Sequence, residues 1–77
     1  MRQPDPKDFQ YLNETNTLVA EMEKTAEGRP FSGEVAALLN AIYEIRVRLK
    51  EATASLEMGH PIEKDKKEID KLLNAIL

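Results

Sequence analysis

An unbroken helical spacing of apolar residues in the middle of the chain limits the folds open to it. Between Val35 and Leu56, apolar residues recur at alternating intervals of three and four, and no proline or glycine interrupts them before Gly59. This spacing places the apolar side chains on one face of an α-helix. We therefore predict a long central helix over about 33–58. Its predicted core face consists of Val35, Leu38, Ile42, Ile45, Leu49, Ala52 and Leu56.

A first helix is predicted over about 6–27. Pro6 suits the first helical position, where its missing N–H costs nothing, and Asp5 before it is a candidate N-cap. Gly28 suits the left-handed position just after a helix, and Pro30 prevents the helix from continuing. The predicted apolar face contains Leu12, Thr15, Val19, Met22 and Ala26, with Tyr11 and Leu18 beside it.

The predicted turns contain typical helix starts and stops. Ser32 is the expected N-cap of the central helix, and Phe31 is expected to fold back on its first turn as a hydrophobic staple. Gly59 ends that helix, and Pro61 is expected at the first position of a third helix over about 61–76. The apolar face of the third helix is predicted to contain Ile62, Ile69, Leu72, Leu73 and Ile76.

These elements predict an all-α fold, a three-helix hairpin or bundle in which short loops make successive helices antiparallel. Residues 1–77 form one predicted domain, with residues 1–5 as a flexible tail. A chain of 77 residues buries only roughly 60% of its unfolded surface, and this one has no cysteine for disulfide bonds. We therefore expect oligomerisation to complete the fold.

The central helix carries a second apolar line, nearly opposite its core face on a helical wheel. Its members are the predicted partner-binding residues. They are Ala36, Tyr43, Val47, Ala54 and Met58. Three arrangements could cover them: the chain's own helices, a second copy in a two-fold dimer, or a different protein. The sequence leaves all three open.

No arrangement of side chains in the sequence points to catalysis. His60 is the only imidazole, and it precedes Pro61 in a turn, where a capping or solvated role fits it. Glu57 stands three residues before His60, but Gly59 and Pro61 break the helix that a Glu-x-x-His metal motif requires. We expect no catalytic, cofactor or metal site, no small-molecule substrate and no enzymatic activity.

Charge and hydropathy argue against nucleic-acid and membrane partners. The formal net charge is −3, with acidic and basic residues interspersed, and no apolar run approaches the ~20 residues of a membrane span. The N-terminus has no signal-peptide core, which favours a cytoplasmic protein. The predicted function is a helical protein–protein interaction module: an adaptor, co-chaperone or regulatory subunit. The alternative is a transcriptional regulator that contacts nucleic acid through Arg46, Arg48, Lys64 and Lys67.

The pentapeptide LLNAI occurs twice, at Leu38–Ile42 and Leu72–Ile76, with an offset of 34 residues. This offset matches the period of tetratricopeptide repeats, but the chain has no room for a third unit. We interpret the duplication as convergent packing, with an ancient duplication of the segment as the alternative. In both copies the first leucine and the isoleucine are expected in the core, with Asn40 and Asn74 directed outward.

Overall fold

The protein consists of three α-helices joined by short turns. The computed structural model describes residues 6–77, with α1 at Pro6–Glu27, α2 at Gly33–Glu57 and α3 at Glu63–Ile76. These residues contain no strand. The helix α2 packs against both neighbours, whereas no Cα atom of α1 lies within 8 Å of a Cα atom of α3. The predicted all-α, three-helix arrangement is confirmed.

The hydrophobic core lies along one face of α2. Every predicted core position of α2 is buried except Leu38, which is half-buried. Because the apolar stripes of α1 and α3 both pack on this face, α2 is shared between two helix pairs. The buried core consists of Leu12, Val19, Ile42, Ile45, Leu49, Ala52, Leu56, Ile62, Ile69 and Leu73.

The start of α2 has its predicted cap but not its predicted staple. The Ser32 side chain accepts a hydrogen bond from the Val35 backbone N–H at 3.2 Å. Phe31 is 83% exposed, so the predicted hydrophobic staple is wrong. The staple position four residues into the helix holds Ala36, whose single methyl group gives the phenyl ring little surface to cover.

The end of α2 is a Schellman motif built on Gly59. Its φ of 81° lies in the left-handed region, where a glycine avoids the steric cost of a Cβ atom. The Gly59 N–H donates to the Leu56 carbonyl at 3.0 Å, and the His60 N–H donates to the Ser55 carbonyl at 2.9 Å. These two bonds satisfy carbonyls that the end of the helix would otherwise leave open.

The third helix begins at Glu63, so the predicted start at Pro61 is wrong. Ile62 is the N-cap residue, and its side chain is buried in the core. The Ile62 carbonyl accepts the Lys66 N–H at 2.9 Å, which is the first bond of the helix. The burial of Ile62 fixes the position of the chain just before α3. Pro61 therefore belongs to the turn between α2 and α3.

The end of α1 lacks the left-handed glycine that was predicted there. Among residues 6–77, only Gly59 has a positive φ, so Gly28 does not adopt that conformation. Instead, the Gly28 N–H donates to the Lys24 carbonyl, and the Arg29 N–H donates to the Ala26 carbonyl, both at 3.2 Å. The second bond is a tighter, 3₁₀-type turn, which satisfies a terminal carbonyl without a left-handed residue.

The two LLNAI segments turn the same face to the core but are buried to different depths. In the first, Ile42 is fully buried and Leu38 is half-buried. In the second, the buried residue is Leu73, the second leucine, while Leu72 and Ile76 are only half-buried. Leu38, Leu72 and Ile76 all pack against the core while only partly buried, so the first leucine and the isoleucine face the core in both copies, as predicted. Asn40 and Asn74 are both exposed.

Candidate interaction surface

The predicted partner-binding residues form a line on the solvent side of α2. We call this line (Ala36, Tyr43, Val47, Ala54 and Met58) the outward face. Tyr43 is 68% exposed, Val47 38% and Met58 73%. Ala54 is also exposed, whereas Ala36 is half-buried. Within residues 6–77, the neighbouring helices leave most of this line uncovered.

Helix geometry explains why the outward face stays in solvent. A step of two residues turns an α-helix by about 200°, so residues two apart project in nearly opposite directions. Val47 lies between the buried Ile45 and Leu49, two residues from each. Ala54 follows the buried Ala52 and Met58 follows the buried Leu56 at the same interval. Since α1 and α3 both pack on the buried side, neither reaches the opposite one.

Charged side chains surround the middle of the outward face. A second hollow, of about 360 Å³, lies at one end of the bundle. The shallow hollow on the outward face has a volume of about 330 Å³. Arg48 and Glu51 form an ion pair within it, with Nη1 and Oε2 3.5 Å apart. Both side chains are about half exposed, so the pair adds little to stability and can rearrange around a partner. The lining residues of the hollow are Tyr43, Glu44, Val47, Arg48 and Glu51.

The four cations proposed for nucleic-acid contact are divided between two helices. Arg46 Nη2 lies 3.1 Å from Glu23 Oε1 of α1, and Arg48 pairs with a carboxylate of its own helix. These two arginines are two residues apart and therefore project to different sides of α2. Lys64 and Lys67 are exposed on α3. Both guanidinium groups thus already face carboxylates, which weakens their attraction for phosphate.

A polar cluster that the sequence did not predict connects α1 to α3. The Tyr11 hydroxyl donates to Asp70 Oδ1 at 2.7 Å. Lys66 Nζ forms an ion pair with Asp8 and lies 5.4 Å from the centroid of the Tyr11 ring. We call these four side chains the α1–α3 clamp. Tyr11 and Asp70 are 59 positions apart, so no local spacing could have revealed their contact.

The clamp changes the acidity of Tyr11. Burial, followed by the hydrogen bond to Asp70 and the charge of that carboxylate, raises the pKa of Tyr11 well above its ordinary value of about 10. In an unfolded chain the phenol would titrate near its ordinary value. Tyr11 therefore stabilises the folded state fully below about pH 10, and this contribution is lost as the pH rises toward its folded pKa.

We expect Tyr11→Phe to lower the free energy of unfolding by about 0.5–1.5 kcal/mol at pH 8, because one interhelical hydrogen bond is lost. The difference in the free energy of unfolding between wild type and variant should shrink at pH 11. At this pH, ionisation of Tyr11 stabilises the unfolded wild-type chain and so lowers the stability of the wild type. Urea denaturation at both pH values measures this difference. Tyr43→Phe is the control, since its ring is 68% exposed. An equal effect of Tyr11→Phe at the two pH values would contradict the assignment.

A second apolar surface lies at one end of the bundle. Because α3 has 14 residues, against 22 in α1 and 25 in α2, it leaves part of the α1–α2 pair uncovered. The resulting open groove, of about 360 Å³, has Glu21, Thr25 and Arg29 as its polar lining residues. Its apolar lining residues are Leu18, Met22, Leu38, Ile76 and Leu77. Three helices contribute to this groove, which is why the pattern of no single helix indicates it.

Two further observations concern ligands and membranes. Across residues 6–77, no three side chains from histidine, cysteine, aspartate and glutamate converge as a metal site would require. None of α1, α2 and α3 combines the length and apolarity needed to cross a bilayer.

The chain matches no family model, no curated protein sequence and no solved structure.

Proposed function

We propose that the protein is a non-enzymatic interaction module that binds a protein partner through the outward face of α2. An adaptor, a co-chaperone or a regulatory subunit would work in this way. The observation that carries the proposal is the exposure of Tyr43, Val47 and Met58 in one line, on a helix whose opposite side already forms the core. Single exposed apolar residues are ordinary, but an aligned set is typical of a binding face.

The types of residue on this face support binding to protein. Tyrosine and methionine are enriched at the centres of protein interfaces, tyrosine for its large rigid ring and methionine for its adaptability. Full burial contributes roughly 1.5–3 kcal/mol for a large apolar side chain. Association also costs several kcal/mol in lost motion. Three such residues therefore support a modest affinity, with the charges around them setting specificity.

The alternative, a regulator that binds nucleic acid, has weaker support. It relies on Arg46, Arg48, Lys64 and Lys67, and the two arginines are already paired with carboxylates. Phosphate binding favours cations gathered on one surface, without acidic residues between them. A strongly salt-dependent affinity for duplex DNA would be the sign of this alternative.

The double variant Val47→Glu with Met58→Glu tests the proposed face. We expect it to weaken association with the partner at least tenfold, because two carboxylates would be desolvated in the interface. Its circular dichroism spectrum should stay unchanged, since both side chains are exposed. Tagged wild type and the tagged double variant are each incubated with an extract of the source organism, and the amount of partner that each retains is compared. The partner is either an untagged copy of the chain or another protein.

Phe9→Glu is the matched control for this experiment. Phe9 lies on α1 and is 38% exposed, the same fraction as Val47. It should cost a similar small amount of stability while leaving partner retention unchanged. If the double variant and the control retain the partner equally, the outward face is not the binding site.

A further inference from the structure

We draw no further inference here: the strongest candidate, the open groove at one end of the bundle, has both Glu21 and Arg29 among its lining residues, and nothing in the structure shows what covers it.

Discussion

Replacing Ile45 with alanine is expected to lower the free energy of unfolding by about 2–5 kcal/mol. Ile45 is fully buried on the face of α2 that supports the shared core. The loss combines the removed apolar contacts with the cavity that remains, since packed neighbours relax only in part. A domain of this size has a total stability of the order of 5 kcal/mol, so the variant is expected to be partly unfolded at room temperature.

Urea denaturation followed by circular dichroism measures this effect. The matched control is Tyr43→Ala, two residues earlier on the same helix and 68% exposed. It removes more atoms, yet it should change the free energy of unfolding by no more than about 0.5 kcal/mol. If the two variants are destabilised equally in a monomeric sample, the buried and outward faces of α2 have been assigned incorrectly.

The second large effect is expected from Gly59→Ala, which should destabilise the protein by about 1 kcal/mol. At a φ of 81°, an alanine Cβ atom incurs the steric cost of the left-handed region, about 1–2 kcal/mol. The lower entropy of the unfolded alanine chain offsets part of this cost. The strain would weaken the Schellman bonds to Leu56 and Ser55, which hold the end of α2. Thermal and urea unfolding of the purified variant measure the change.

Gly28→Ala provides the comparison for Gly59→Ala. Gly28 has no positive φ, and a Cβ atom there would lie 3.5 Å from the Thr25 carbonyl oxygen, an ordinary contact. We expect its stability to be unchanged or raised by up to about 1 kcal/mol. The same chemical change should therefore destabilise the protein at Gly59 but not at Gly28. A loss at Gly28 as large as that at Gly59 would argue against the backbone conformation as the cause.

Local sequence rules predicted much of this fold because its helices are strongly patterned. The buried positions of α2 follow the three–four spacing, and Ser32 caps that helix as its hydroxyl side chain indicates. The errors lie where tertiary contacts compete with local preference. Burial of Ile62 delays α3 beyond Pro61, and a tightened turn makes the left-handed glycine unnecessary at Gly28.

The surfaces were harder to predict than the core. Exposure of Tyr43 and Met58 follows from their helical spacing, because the opposite side of α2 is filled. The α1–α3 clamp was not predictable in this way, since Tyr11 and Asp70 are brought together only by the packing of two helices on a third. The open groove at one end of the bundle, to which all three helices contribute, likewise depends on the lengths of these helices. Both features arise from assembly of the helices rather than from local spacing.

The separation of α1 from α3 also affects how the protein can open. Among residues 6–77, both outer helices have Cα atoms within 8 Å of α2 but none within 8 Å of each other, and the α1–α3 clamp joins them through side chains. The bundle therefore consists of two antiparallel helix pairs that share α2 and a single core. Releasing α3 would break one helix interface and the clamp while leaving the α1–α2 hairpin paired. Such a chain can expose the core residues that α3 covers in a partial opening, without losing its whole native structure.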